Sequence, residues 1–275
     1  MSTPAPNWDP AQYLQYADER SRPFVDLVAR VRADAPSLVV DLGCGPGTLT
    51  RTLVARYPDA AVVGVDSSME MIATASAAND AAAAPSEAFA RLSYVCADLR
   101  EWAPDGAPEV VVANAVLQWA PDHLELIGRI AGWLAPGGAF AFQVPANFDA
   151  PSHTVIRDLR MSRRWRDRLG EDADRLAGVE EPATYLATLE AAGLEPDVWQ
   201  TTYLHLLPGD DPVLEWVKGT ALRPVLTALR DDPAATEEFL AECGEALREA
   251  YPRSAAGTVF PFRRTFAVGH ARTAA

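Results

Sequence analysis

The spacing of apolar and polar residues alternates between two periods along the first half of the chain. Short, continuous apolar runs, each as long as one strand, lie at 37–42, 61–66, 92–97, 109–115 and 138–144. Between them, apolar residues recur at helical spacing over 48–57, 68–79 and 124–134. Continuous apolar runs of this length are typical of strands buried on both faces, as in a parallel sheet. The alternation therefore predicts a doubly wound α/β fold, whose ligands bind at the carboxyl ends of the strands.

Both ends of the chain depart from this alternation. Residues 11–32 have helical spacing, and Pro23 predicts the start of a second helix, because proline suits a first helical turn. Residues 80–90 are rich in alanine and predict a loose connection. After residue 145 the pattern predicts two late strands, at 197–206 and 258–268. It also predicts an arginine-dense helix and two further helical regions, the last broken by prolines, at 152–169, 182–192 and 211–251.

A glycine-rich loop, Asp41-Leu42-Gly43-Cys44-Gly45-Pro46-Gly47-Thr48, joins the first strand to its helix. The glycines permit positive φ and let a ligand approach the backbone closely. A dinucleotide loop has glycine or alanine at the sixth position of G-x-G-x-x-G/A, where this chain has Thr48. The Asp41 carboxylate is unfavourable near a pyrophosphate but favourable near the ammonium and sulfonium of S-adenosylmethionine. The loop therefore favours S-adenosylmethionine over a dinucleotide.

Two more acidic residues follow the next two strands. Asp66 closes the second strand, where a carboxylate can accept hydrogen bonds from both ribose hydroxyls of a nucleoside. Asp98 follows the third strand and is placed to reach an adenine edge. A tight turn with solvated acids explains one glycine loop, but it does not explain acids at three successive strand ends. We therefore predict a site for a cationic nucleoside.

Composition narrows the class of protein. The chain has 275 residues and a formal net charge of −14, which disfavours nucleic acid as a partner. Its three cysteines are widely spaced and show neither zinc-ligand spacing nor a disulfide framework, so we predict no metal site. The start of the chain shows no secretory pattern, and the apolar runs are far shorter than the ~20 residues of a membrane span. We expect a cytoplasmic protein that binds no membrane.

The loop and the strand-end acids resemble those of the class I methyltransferases over about residues 38–145. The resemblance implies a seven-stranded, mostly parallel, doubly wound sheet with a reversed last strand and a helical cap or lid from insertions in the C-terminal half. It divides the chain into a helical segment covering the active site (1–36), an S-adenosylmethionine-binding core (37–145), and a cap with the last two strands (146–275). The implied cofactor contacts are Asp41, Gly43, Gly45, Gly47, Asp66, Ser67, Met69, Asp98, Leu99, Asn114 and Trp119.

Segments outside the cofactor motifs resemble one group of these enzymes, the trans-aconitate 2-methyltransferases. They include Trp8-Asp9-Pro10, Glu19 to Pro23, Leu117-Gln118-Trp119, Pro151-Ser152-His153, Trp199 to His205, Leu222-Arg223-Pro224 and Phe260 to Phe266. The resemblance implies methyl transfer to a carboxylate oxygen, giving a monomethyl ester and S-adenosylhomocysteine. A carboxylate is already ionised at neutral pH, so we predict no general base and no catalytic residue beyond those that position the reactants.

A tricarboxylate acceptor needs local cations in a protein of this net charge, and the planar fork of arginine suits a carboxylate. Candidate acceptor-binding residues are Arg20, Arg22, Gln118, His153, Tyr203, His205, Arg223 and Arg264. Each also has a structural interpretation, as a helix-end charge, a capping residue or a core side chain. Arg263 and Arg264 are adjacent in a strand and face opposite sides, so at most one points inward, and we favour Arg264. Tyr203 and His205 share one strand face.

Several alternatives stay open from the sequence. The acceptor is trans-aconitate, another small polycarboxylate or a natural-product acid. A nicotinamide oxidoreductase is disfavoured by the glycine spacing, and a binding module without activity is a further alternative. The arginine run from Arg157 to Arg168 is interpreted as a solvated face. The expected form is a monomer, with higher assemblies left open.

Overall fold

The computed structural model describes residues 17–83, 87–169 and 179–273. The strands are β1 (Leu38–Leu42), β2 (Ala61–Asp66), β3 (Leu92–Cys96), β4 (Val110–Asn114), β5 (Ala139–Pro145), β6 (Leu194–Leu207), β7 (Arg253–Ser254) and β8 (Gly257–Ala271). The helices are α1 (Ala17–Val28), α2 (Thr50–Arg56), α3 (Met69–Ala83), α4 (His123–Ala131), α5 (Pro151–Met161), α6 (Arg166–Leu169), α7 (Pro182–Ala191), α8 (Pro212–Lys218), α9 (Arg223–Ala228) and α10 (Pro233–Ala250). Short 3₁₀ turns lie at Glu87–Arg91 and Leu117–Trp119.

The strands form one sheet in the order β3-β2-β1-β4-β5-β8-β6, with the two-residue β7 paired to β8. β1 pairs in parallel with β2 and β4, and β2–β3 and β4–β5 are also parallel. β8 runs antiparallel to β5. The backbone amide of Ala271, at the end of β8, donates to the carbonyl of Gly138 just before β5, whereas the amide of Ala146, just past the end of β5, donates to the carbonyl of Arg263. The predicted mostly parallel sheet with a reversed last strand is therefore confirmed.

Within the chain, contacts define two compact units. Among the described residues, 17–144, 179–200 and 265–273 form one, called the sheet unit below, and 145–169 with 201–264 form the other, called the helical unit. The predicted division at residues 36 and 145 was made on functional grounds and stays a prediction.

The sheet unit is held by a core on the parallel strands. Val40 of β1 and Phe140 of β5 are fully buried, as are Ile127 and Ile130 of α4, which covers the sheet. A strand covered by helices on both faces buries every side chain, so an uninterrupted apolar run replaces alternation. This order places Asp41, Asp66 and Asn114 at the carboxyl ends of neighbouring strands.

The helical unit has a separate, aromatic core. Trp165, Trp216, Phe239 and Phe260 are buried together with aliphatic residues of α8 to α10. The Trp165 and Phe239 rings meet edge to face with centroids 5.1 Å apart, a favourable aromatic arrangement. The same unit contains the end of β6 and the beginning of β8, whose side chains alternate between buried and exposed.

Three local expectations were wrong. Pro23 lies inside α1 and starts no second helix; Phe24 and Leu27, both buried just after it, anchor the helix. Residues 80–83 belong to α3, because alanine is the strongest helix former. The helix predicted over 152–169 is two helices: Ser162 is extended, with ψ 153°, and this break turns Trp165 into the core.

No helix in the described part of the chain combines the length and apolarity that a membrane span requires.

Candidate functional site

The glycine loop follows β1 and leads into α2. Gly43, Gly45 and Gly47 all have positive φ, at 71°, 54° and 76°, a region that favours glycine. A Cβ added at Gly43 would lie 2.5 Å from the Val116 side chain, and one at Gly47 would collide with the Tyr94 hydroxyl. A Cβ at Gly45 would meet no heavy atom within 4 Å among the described residues. Gly43 and Gly47 are therefore required by packing, whereas Gly45 borders open space that a ligand can occupy.

Asp66 fixes this loop from the neighbouring strand. Its carboxylate accepts hydrogen bonds from the backbone amides of Gly45 and Ser68, both at 2.9 Å. The residue as a whole is half-buried. The contact puts an acidic group beside the open Gly45, where a ribose was predicted; the ribose contact itself stays a prediction.

Asp41 is the most deeply buried acid of the predicted set. Only 3% of the residue is exposed, and the Thr50 hydroxyl donates a 2.6 Å hydrogen bond to its carboxylate. Burial raises the pKa of Asp41 to about 7, the Thr50 hydrogen bond acts in the opposite direction, and the negative charge of Asp66 raises the pKa further. Sequence reasoning missed Thr50, because threonine at a helix start carries no distinctive signal.

Asp98 is bound to a residue that sequence reasoning also missed. Arg100 grips its carboxylate through Nη2 at 2.6 Å and Nε at 3.1 Å. This side-chain hydrogen bonding lowers the pKa of Asp98 and keeps it ionised. The backbone here is fastened to α4, because Arg129 donates to the carbonyls of Leu99, at 2.6 Å, and Arg100. Asp98 therefore reaches a ligand only beside, or after release from, Arg100.

The remaining predicted cofactor contacts lie around these acids. Ser67 is exposed, and Met69, at the start of α3, is 77% exposed. Leu99 and Trp119 are half-buried. Asn114 ends β4 and accepts a 2.7 Å hydrogen bond from Gln143 through its side-chain oxygen. Their roles in cofactor binding stay predictions.

The turn after β4 contains a strained residue and a buried amide. Ala115 has φ 54°, which is unusual for a residue with a Cβ and marks a tightly determined turn. Gln118, 5% exposed, donates a 2.7 Å hydrogen bond from Nε2 to the Ala115 carbonyl. Its Oε1 is buried and has no hydrogen-bond partner among the described residues. One end of the amide thus stabilises the turn, and the acceptor oxygen at the other end is left without a hydrogen-bond partner among the described residues.

In the helical unit, Arg263 and Arg264 face opposite sides of β8. Arg263 is fastened outward, donating 2.7 Å hydrogen bonds to the Ala146 carbonyl and to Asp149. Arg264 is 5% exposed, and its guanidinium carbon lies 4.7 Å from the centroid of the Phe262 ring. The expectation that Arg264 points inward is confirmed; its contact with an acceptor stays a prediction.

Tyr203 and His205 lie on the same buried face of β6, as the alternation predicted. Their rings are nearly parallel, with centroids 6.2 Å apart. His205 also stacks on Trp216 of α8 at 5.0 Å, and Trp216 lies 5.5 Å from Phe262. These rings share a cluster with the side chain on which Arg264 rests. Sequence reasoning missed Trp216, since an isolated tryptophan in a helix is more often a core residue.

His153 lies in a small polar group at the start of α5. Its Nδ1 is 3.1 Å from the Ser152 hydroxyl and 3.4 Å from the Asn147 amide nitrogen. Burial lowers the pKa of His153 to about 4, although the charge of Asp149 opposes this effect. The imidazole is therefore neutral at pH 7 and can act as a hydrogen-bond donor but contributes no charge. Asn147, only 2% exposed, was missed by sequence reasoning.

The other arginine candidates are less informative. Arg223 is half-buried at the start of α9, and Arg22 is exposed on α1. The side chain of Arg20 lies outside the described residues. The arginine run is largely ion-paired at the surface, as in the pairs Arg157–Asp158, Arg164–Glu238, Arg164–Glu242, Arg166–Asp167 and Arg168–Asp232. One member, Arg160, is buried and departs from the solvated-face interpretation.

Comparison with known proteins gives a consistent result. The family described as "Methyltransferase domain" matches residues 16–197. A trans-aconitate 2-methyltransferase of Streptomyces avermitilis is 52% identical over 98% of this chain and 99% of its own length. One of Streptomyces coelicolor is also 52% identical, over 98% of this chain and 88% of its own length.

A solved structure shows the same fold at much lower identity. The Haemonchus contortus phosphoethanolamine N-methyltransferase 2, crystallised with S-adenosyl-L-methionine, matches with a TM-score of 0.55 at 15% identity, over 92% of this chain and 53% of its own. The doubly wound sheet and the glycine loop are consistent with the family that the sequence identity shows. This chain belongs to the methyltransferase-domain family and, within it, to the trans-aconitate 2-methyltransferases.

Proposed function

We propose that this protein transfers a methyl group from S-adenosylmethionine to a carboxylate oxygen of trans-aconitate, forming a monomethyl ester. The observation that carries this proposal is 52% identity over almost the whole length of an enzyme with that name. The aligned part is 98% of this chain, so it includes residues beyond the matched methyltransferase domain, among them the candidate acceptor residues Tyr203, His205, Arg223 and Arg264. It therefore supports the acceptor as well as the class of reaction.

The glycine loop has the chemistry that a cationic nucleoside requires. Open space at Gly45 admits the ligand close to the backbone. Asp66 beside it supplies acceptors for hydroxyl groups, and Asp41 supplies negative charge at the end of β1. The paired sulfonium and ammonium charges of S-adenosylmethionine are attracted to these acids, whereas a pyrophosphate is repelled. The bound donor supplies an electrophilic methyl group on sulfur.

The reaction needs no proton transfer from the protein. The acceptor oxygen is already an anion at neutral pH, so attack on the methyl carbon forms the C–O bond while the C–S electron pair returns to sulfur. Holding the oxygen in line with the methyl carbon and sulfur accounts for roughly 7–11 kcal/mol of a barrier in well-oriented systems. The residues of this chain therefore act by binding and orientation.

We assign acceptor binding chiefly to the buried polar groups of the helical unit. Arg264 supplies a positive charge next to aromatic rings, where a charge–charge interaction is stronger than in water. Tyr203 and His205 offer hydrogen bonds from the same face of β6. His153 adds a neutral donor. Such a set suits a small molecule with several carboxylates.

Turnover tests this proposal directly. The protein is incubated with S-adenosylmethionine and trans-aconitate, and products are followed by mass spectrometry. We expect the monomethyl ester and S-adenosylhomocysteine in equal amounts. A parallel panel of cis-aconitate, citrate, isocitrate and unrelated aromatic acids distinguishes the acceptors. Turnover of another acid without turnover of trans-aconitate would disprove the substrate and retain the class.

A further inference from the structure

Asp41 and Thr50 form a buried pair at the start of the donor site. Asp41 is the fourth residue of β1, and Thr50 is the first residue of α2, on the far side of the glycine loop. Thr50 is fully buried and Asp41 nearly so, and the hydroxyl–carboxylate distance is 2.6 Å. This length is typical of a hydrogen bond to an ionised acceptor. The pair closes the loop at its base and fixes one orientation of the carboxylate.

The surroundings of the pair make the charge on Asp41 conditional. Burial disfavours the ionised form and brings the pKa of Asp41 to about 7. The hydroxyl of Thr50 favours the ionised form. A carboxyl with this pKa titrates near neutral pH, unlike an exposed aspartate.

The titratable groups that act on Asp41 come from each neighbouring element. Asp66 on β2 is negative and opposes ionisation of Asp41. The Cys44 thiol in the loop has a raised pKa, first through burial and then through the charges of Asp41 and Asp66. The pKa of the Tyr94 phenol on β3 is also raised, first by burial and then by Cys44 and Asp41. Arg51 of α2 acts in the opposite direction. Both stay protonated at neutral pH, so Asp66 is the charged neighbour that matters most.

We propose that Thr50 is a positioning residue for the donor: its hydroxyl holds the Asp41 carboxylate in the orientation that receives the donor's ammonium group. This inference rests on the proposed use of S-adenosylmethionine. Because the ammonium group pairs with an ionised carboxylate, a proton on Asp41 passes to the buffer when the donor binds, and no bond other than the carboxyl O–H is broken. Donor affinity consequently increases as pH rises through the titration of Asp41.

Calorimetry with S-adenosylhomocysteine tests this coupling. Titrations between about pH 6 and 8.5, each in buffers of different ionisation enthalpy, give the dissociation constant and the number of protons released. We expect the wild-type protein to release protons on binding near pH 7. The α-amino group of the probe titrates near pH 8 itself. Asp41→Asn keeps that titration and removes the carboxyl, so the difference between the two proteins isolates Asp41. Binding of 5′-methylthioadenosine, which lacks the amino group, should release markedly fewer protons.

Variants at position 50 separate positioning from packing. Thr50→Val keeps the shape but loses the hydroxyl; we expect the midpoint of the affinity profile to rise by about one pH unit and binding at pH 7 to weaken by up to tenfold. Thr50→Ser restores the hydroxyl, so the midpoint and the affinity at pH 7 should both return toward the wild-type values. Thr52→Val is a matched control on the same helix, because the exposed Thr52 hydroxyl donates to the Leu49 carbonyl rather than to a carboxylate.

The outcomes are distinguishable. No heat with wild-type protein at any pH would contradict the proposed donor. Binding without proton release, or identical profiles for Thr50→Val and Thr52→Val, would overturn the role of Thr50 and leave the donor intact. If Thr50→Val does not fold, the wild-type proton count and the Asp41→Asn profile still decide the coupling.

Discussion

The donor loop and the acceptor cluster obtain their polar groups in different ways. In the sheet unit, Gly45 is open and Asp41 and Asp66 follow two parallel strands, so a short stretch of chain and its strand neighbour supply the chemistry. In the helical unit, Arg264, His205 and Trp216 come from three separate elements and meet only through packing. The donor region is therefore built mainly from backbone geometry, and the acceptor region from side chains embedded in an aromatic core.

The largest expected effect concerns the backbone of the loop. Gly47→Ala combines a positive φ with a collision at Tyr94 and should lower the free energy of unfolding by about 2–4 kcal/mol. Gly45→Ala is the matched control: it has the strained φ but no collision, and should cost about 1–2 kcal/mol. Chemical denaturation measures both.

The ranking of these two variants reverses for ligand binding. Because its added Cβ occupies the open space, Gly45→Ala should weaken S-adenosylhomocysteine binding more than its small loss of stability accounts for. Equal effects of both variants on stability and on affinity would remove the distinction between a packed and a ligand-facing glycine.

A smaller effect is expected at the acceptor cluster. Arg264→Ala removes a buried cation and should raise KM for trans-aconitate by about 10- to 100-fold, equivalent to about 1.5–3 kcal/mol, with little change in affinity for S-adenosylhomocysteine. Arg263→Ala, on the outer face of the same strand, should leave KM nearly unchanged. A loss of thermal stability without a change in KM would assign Arg264 to the structure alone.

The smallest expected effect is a pH dependence that belongs to the helical unit. His153 has its pKa lowered to about 4 by burial, so between this value and 6.5 the unfolded chain binds a proton that the folded chain does not. Stability is therefore lost as pH falls through that window, by about 2 kcal/mol at pH 5 relative to pH 7.

Substitution isolates this contribution of His153. His153→Gln should make the denaturation midpoints at pH 5 and pH 7 more similar than they are in the wild type. An unchanged difference between the two pH values would show that His153 is not the residue responsible.

Much of the fold follows from local sequence. The five apolar runs and the glycine loop predicted the parallel strands to within one or two residues, because strands covered on both faces are apolar along their whole length. The points at which helices begin and end were less predictable. Pro23 is accommodated inside α1, and Ser162 interrupts a helix so that Trp165 can be buried. Both depend on distant packing, which overrides local propensity.

By itself, the sequence determined the donor chemistry, since Asp41 to Gly47 are contiguous and Asp66 lies one strand away in a parallel pairing. It also determined that Arg263 and Arg264 diverge, because successive residues of a strand face opposite sides. Only the tertiary structure decided that Arg264 is the buried one, that Trp216 stacks on His205, and that Arg100 and Thr50 hold Asp98 and Asp41. Hydrogen bonds and burial depend on three-dimensional proximity, whereas strand direction and residue alternation are already present in the order of the chain.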